Sequence, residues 1–166
     1  MRKSQVRFIR QQGFSGETFP DTFYSALILQ PRIIGCAAAV GVLLQSAWIF
    51  LALAAVLWWS AVVPTRNPFD AIYNHFVAYR RGLPRLAAAL SPRRFAAGEA
   101  GTVALAAGVA LVSGATITAW IIQAVLIGGV MSSVFANFCI GAYTYCLLRR
   151  PPLSRELSSR RSDFDT

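Results

Sequence analysis

The reactive inventory of this chain is small. It holds one histidine, His75, and three cysteines, Cys36, Cys139 and Cys146. A hydrolytic triad or a histidine-based metal centre would have to be built around His75 alone, so neither catalytic residues nor a metal site are expected. One neutral imidazole suffices to ligate a haem or a chlorophyll-type pigment. His75 is therefore the candidate cofactor contact, with a solvated or headgroup-bonded imidazole as the plainer alternative, and no cofactor is required. Cys139 and Cys146 lie seven residues apart. On one continuous helix they share a face with Cα atoms roughly 10 Å apart, beyond the roughly 4.4–6.8 Å of a disulfide. Cys36 meets either only if the fold brings their faces together. All three are candidate thiols, or small apolar side chains that simply pack. Glu99 sits near the start of an apolar stretch, where an acidic group is a functional candidate by default. A partner in Arg93 or Arg94 is the alternative. Gln123 and Asn137 suit interhelical hydrogen bonds.

The elements that must position these groups follow from the charge gaps. No charged residue occurs from Ile33 to Val63, and none from Ala100 to Leu148. Crossing roughly 30 Å of hydrocarbon takes about 20 helical residues, so each gap holds two helices. The first divides at Gln45-Ser46 and the second at the turn signal Ser113-Gly114-Ala115-Thr116. Four helices are expected: Thr22–Leu44 with Pro31 inside it, Ala47–Val63, Phe95–Ser113 and Ile117–Leu148. The last is longer than one crossing needs, so it should tilt or project. The first has only about a dozen apolar residues after Arg32, and a short or re-entrant segment is its alternative.

Composition agrees. Apolar residues make up 55% of the 166 and charged residues 14%, against about 25% charged in a soluble domain. Sixteen Lys and Arg oppose seven Asp and Glu, a net charge of +9. Such hydropathy excludes a disordered chain and a soluble nucleic-acid binder, and three cysteines are too few for a disulfide scaffold. The cations lie at the N-terminus, between the second and third helices, and after the fourth, while both short turns hold none. Cytoplasmic segments collect Lys and Arg. The expected fold is thus an all-α integral membrane protein of the bacterial inner membrane, with four spans in two hairpins and both termini cytoplasmic. Its segments are a basic N-terminal stretch (1–21), a first hairpin (22–63), a basic loop (64–94), a second hairpin (95–148) and a basic, flexible tail (149–166). The opening residues lack the apolar run of a secretory signal.

The basic loop has its own pattern. Asn67-Pro68 reads as a helix start, with Asn as cap and Pro in the first turn. Phe69, Ile72, Tyr73 and Phe76 then recur at helical spacing, Asp70, Asn74 and Arg81 take the opposite side, and Gly82 ends the run. This predicts an amphipathic helix lying at the membrane interface. Arg80, Arg81, Arg85, Arg93 and Arg94 are the candidate contacts for lipid headgroups, and nucleic acid is not an expected partner.

Small residues crowd the apolar helices. Gly35, Ala39 and Gly41 lie in the first, Ala104 and Gly108 in the third, and Gly128, Gly129, Ser132, Ser133 and Ala136 in the fourth. Such faces let helices approach closely where no hydrophobic driving force exists. They serve packing within the bundle, docking of another membrane subunit, or both.

Two motifs carry a family resemblance. Pro92-Arg93-Arg94-Phe95-Ala96 resembles the P-[KR]-R-F-A opening of the third helix in a bacterial four-helix membrane family known chiefly as a domain of unknown function. Phe138-Cys139-Ile140-Gly141-Ala142-Tyr143-Thr144-Tyr145 is similar to its F-C-x-G-C-x-x-Y ending. The similarity covers about Pro31 to Leu148. It implies the same fold. The family pattern has a second cysteine where this chain has Ala142, so any dithiol chemistry of relatives would not pass through that pair here. The expected role is a non-catalytic accessory subunit that stabilises or helps assemble a larger inner-membrane complex, respiratory or photosynthetic. The alternative is a membrane thiol-redox or small-solute transport protein.

Overall fold

Uncharged runs of Ala, Leu, Val and Ile can satisfy their backbone in hydrocarbon only by forming helices. The computed structural model describes residues 2–14, 21–83, 85–86 and 88–149, and among these it contains helices and turns but no strand. A short helix α1 (Lys3–Gln11) precedes α2 (Asp21–Leu44) and α3 (Ala47–Val62). A single turn of tighter helix (Pro64–Arg66) leads to α4 (Pro68–Ile72), which runs through a π-helical stretch (Tyr73–Ala78) into α5 (Tyr79–Arg81). The remainder is α6 (Ser91–Val112), α7 (Thr116–Phe135) and α8 (Ile140–Leu148). Three helices are long and apolar enough to cross a membrane: Phe23–Leu44 of α2, α6 and α7. Helix α3 is apolar but has only 16 residues, about 24 Å of rise.

The turns are where the charge gaps place them. Gln45 takes φ +45° between α2 and α3, and its side-chain amide donates to the Val42 carbonyl at 2.7 Å, covering an open carbonyl at the end of α2. Gly114, at φ +73°, supplies the left-handed step between α6 and α7 that a glycine takes without strain. Asn67 caps α4 as expected, accepting from the Phe69 amide at 3.0 Å. Gly82, at φ +61°, ends α5.

Two expected boundaries move. The third long helix starts at Ser91, not Phe95, because Pro92 fits its first turn and the preceding Leu90 is extended. The expected single helix Ile117–Leu148 is broken. Helix α7 stops at Phe135 and α8 starts at Ile140. Asn137 between them adopts φ +52°, a region Asn tolerates better than branched residues. Ser132 Oγ lies within hydrogen-bond reach of the Gly129 and Phe138 carbonyls at 2.8 and 3.0 Å, and so holds the break. The surplus length therefore does not tilt one long helix. It folds α8 against α6, where a Cβ on Gly141 would lie 2.8 Å from the Ala96 Cα.

Two cores result, and α2 runs through both. In the first, Ile34 and Ala38 of α2 meet Phe50, Leu53 and Leu57 of α3, Ala104 and Ala107 of α6, and Leu126 and Val130 of α7. In the second, Leu27 and Ile28 of α2 pack with Phe8 and Ile9 of α1, Tyr73 and Ala78 of the π-helical stretch, and Leu86. Helices α3 and α6 touch closely because α6 presents glycine. A Cβ on Gly101 would lie 2.9 Å from the Trp58 ring, and one on Gly108 2.8 Å from Leu51 and 3.3 Å from the Ala47 carbonyl.

Candidate functional site: a polar-ended cleft

A buried ion pair is expensive unless every partner is in place, so its position marks where the fold has concentrated polar groups. Arg93, in the first turn of α6, is 4% exposed. Its Nη2 and Nη1 donate to Asp70 Oδ1 and Oδ2 at 2.5 and 3.2 Å, and its Nε donates to Gln30 Oε1 at 3.0 Å. The pair thereby joins α6, α4 and α2. Burial pushes the Asp70 carboxyl above the ordinary aspartate range, and the Arg93 guanidinium pulls against that rise without cancelling it. Around the pair, Tyr24 OH donates to Asn137 Oδ1. Gln11 Oε1 accepts from the Cys139 amide at 3.2 Å. Asn74 holds the chain at Leu86 from both sides, accepting from its amide at 2.8 Å and donating to its carbonyl at 3.3 Å.

Gln30, Arg93 and Cys139 of these groups also line a cleft of about 170 Å³ between α2, α6, α7 and the start of α8. Gln12, Gln30, Arg93, Glu99, Ser133 and Cys139 line it on the polar side, and Leu27, Ile34, Val103, Leu126, Val130 and Ile140 form its apolar body. Gln12 is 5% exposed, yet its side-chain amide has no hydrogen-bond partner among the described residues. Of the lining residues, Glu99, Val125 and Ile140 are exposed and mark the mouth. Gly129 also lines the cleft, and a Cβ there would meet nothing within 4 Å.

The residues singled out from sequence are distributed as follows. Arg93, expected at lipid headgroups, is buried in the ion pair, because Asp70 faces inward with Phe69 and Tyr73. The stripe of the interfacial helix is correspondingly split: Phe69 and Tyr73 are buried, while Ile72 and Phe76 are exposed. Arg94 Nε donates to the Ala61 carbonyl at 2.8 Å and ties α6 to the end of α3. Arg80 and Arg85 are exposed. The Arg81 side chain and the tail from residue 150 lie outside the described residues. His75 is exposed, edge-on to Phe76 with ring centroids 5.0 Å apart. Cys36 and Cys146 are exposed thiols, and Cys139 is a half-buried one in the cleft. Glu99 makes no ion pair with Arg93 or Arg94; its carboxylate rests beside Gly141.

The small residues divide. Gly35, Gly41, Ala104 and Gly108 are spent inside the bundle, with Gly35 against Val130 and Gly41 against Phe50. Ser132 and Ser133 turn their hydroxyls to the Gly129 carbonyl. Ala39, Gly128 and Ala136 are exposed, and a Cβ on Gly128 would meet nothing within 4 Å.

Sequence reasoning missed Gln12, Gln30 and Asp70 as parts of one site. One signal was present for Asp70: it and Glu99 are the only acidic residues between Asp21 and Glu156. Of these two acids Asp70 pairs with Arg93, whereas Glu99 pairs with neither Arg93 nor Arg94. Nothing in the sequence marks Gln12 or Gln30.

All-helical over its described residues, with three helices there long and apolar enough to cross a membrane and a partly polar cleft among them, the molecule belongs to the class of helical-bundle proteins. Its family is shown by residues 29–150, which match a domain of unknown function, DUF4395, and the chain is a member of that family. No curated protein and no solved structure matches the chain.

Proposed function

We propose that the protein is a non-catalytic accessory subunit that packs against a larger complex of the bacterial inner membrane, respiratory or photosynthetic. The observation that carries this is Gly128. It sits in the middle of α7, exposed and with open space where a side chain would be. Glycine costs a helix about 1 kcal/mol relative to alanine, and Gly108 and Gly101 recover that cost by admitting α3. Gly128 recovers it only when a helix from outside approaches.

The proposed topology has four spans, with α3 as the short one, and cytoplasmic termini. Two features support it. Gln45, in the first turn, donates to Gln123 Oε1 of α7 at 3.1 Å, and Gly108 near the end of α6 closes on Ala47, so both uncharged turns lie at one end of the bundle. The arginines belong to the other end, as a cytoplasmic face requires.

The test is a mild-detergent pull-down from native membranes, comparing wild type with Gly128→Leu. Stoichiometric membrane partners that Gly128→Leu loses, with unchanged folding of the isolated chain, are expected. A wild-type protein without partners, cross-linking included, ends this reading. One observation favours a thiol or transport role instead: Cys139 lines the cleft, as do Glu99 and Gln12. That role requires Cys139 to react with a small membrane-permeant thiol reagent and Cys139→Ala to abolish the phenotype of the native gene.

A further inference from the structure

The cleft has a chemistry of its own, independent of whether the chain is a subunit. We propose that it binds one uncharged amphiphile with a ring-sized, carbonyl-bearing head of the quinone type, its tail leaving through the mouth into lipid.

Size sets the first limit. A cavity of about 150 Å³ accepts a single benzene ring, and this cleft, at about 170 Å³, has room for one substituted ring. Charge sets the second. Among the described residues Arg93 is the one cation that lines the cleft, and Asp70 already neutralises it through both oxygens. Glu99 adds a carboxylate at the mouth. An anionic head, phosphate or carboxylate, would enter against that charge with no free cation to receive it, in surroundings too apolar to screen the repulsion.

Hydrogen bonding sets the third. A guanidinium has five N–H groups, and three are used on Asp70 and Gln30. The others and the Gln12 amide, for which no side-chain hydrogen bond is made among the described residues, are donors on the lining of a largely apolar cleft. A donor that faces such a space gains from an acceptor that brings no charge. A ring carbonyl supplies an acceptor without bringing charge. The apolar body then holds the ring, and Val125 and Ile140 flank the exit with hydrocarbon.

The experiment uses the full chain purified in detergent micelles and a photoreactive benzoquinone carrying a short saturated tail. Adducts are mapped by mass spectrometry, and unlabelled tailed quinone and a carboxylate amphiphile of the same tail are the competitors. Labelling is expected on cleft residues of α2, α6 or α7, suppressed by the quinone and not by the carboxylate. Gly129→Leu is the blocking variant, because the space beside Gly129 is the cleft itself and the fold has no atom there to displace. It should cut labelling by about tenfold or more while melting no lower than wild type. Gln12→Leu, which removes the donor and keeps the volume, should weaken labelling severalfold. Labelling outside the cleft, equal labelling of Gly129→Leu, or equal competition by the carboxylate overturns the proposal. Should Gly129→Leu fail to fold, Gln12→Leu decides alone: labelling equal to wild type overturns it.

Discussion

Asp70 and Arg93 carry opposite liabilities. An arginine cannot shed its proton in a protein, whereas a buried aspartate can take one up. Removing Asp70 therefore strands a charge that has no way to neutralise, and Asp70→Ala should cost about 3–5 kcal/mol. Arg93→Met should cost less, because the carboxyl it leaves behind protonates. The pH dependence has a definite sign. A carboxyl whose folded value is raised contributes stability that is full below the ordinary aspartate value and lost as pH rises through the raised one. Thermal melts in detergent from about pH 4 to about pH 8 should show Arg93→Met regaining stability toward acid, and Asp70→Asn showing no such recovery. A flat profile for Arg93→Met would mean that Asp70 stays ionised without its partner. Asn137 makes a second prediction at this scale. Its φ of +52° is one that glycine adopts without strain, so Asn137→Gly loses only the hydrogen bond from Tyr24, whereas Asn137→Val should destabilise by about 1–2 kcal/mol more, measured by the same melts.

At the scale of elements, glycines that look alike in sequence have opposite roles. Gly108→Ala places a methyl 2.8 Å from Leu51 and 3.3 Å from the Ala47 carbonyl, and the backbone atom cannot step aside. That variant should lose about 1–3 kcal/mol as an overpacked contact. Gly128→Ala meets nothing and should gain about 0.5–1 kcal/mol from helix propensity in the isolated chain. Melting curves of the two variants should move in opposite directions, and parallel shifts would show that the α3–α6 contact is looser than its geometry. The break between α7 and α8 belongs to this scale as well. It draws on Ser132 of α7, Tyr24 of α2 and Asn137 between α7 and α8. No window of sequence around Asn137 holds all of them.

At the scale of the whole molecule, α2 links two cores of different character. The core around Phe50 and Leu126 consists of the three membrane-length helices, the shorter α3 and small residues, where close packing is the stabilising force. The core around Phe8 and Tyr73 is built from short amphipathic pieces, α1 and the α4–α5 run, laid on the first third of α2. Deleting α1 removes Phe8 and Ile9, which are 1% and 0% exposed, together with Gln11 and Gln12. The long helices should survive this loss. The truncated chain should keep its far-ultraviolet circular dichroism per residue and become protease-sensitive around residues 68–90. Unchanged proteolysis there would show that α1 is dispensable to the second core.

The sequence by itself determined what depends on local chemistry: the approximate spans of α2, α3 and α6, the start of α7, the turn at Gln45, the glycine step at Gly114 and the Asn67 cap. Each follows from charge gaps, turn residues or capping groups read within a few positions. Burial was legible only as a pattern, so the stripe Phe69-Ile72-Tyr73-Phe76 was assigned to one face when the structure divides it between core and surface. The tertiary structure alone decided the ion pair of Asp70 with Arg93, the cleft that Gln12 and Gln30 help to line, and which glycines face inward. Asp70 and Arg93 are 23 residues apart and Tyr24 and Asn137 are 113 apart. The physical reason is that a hydrogen bond between distant residues exists only once helix packing has closed the loop between them. Periodicity names a face of a helix, but the neighbouring helices determine what that face meets.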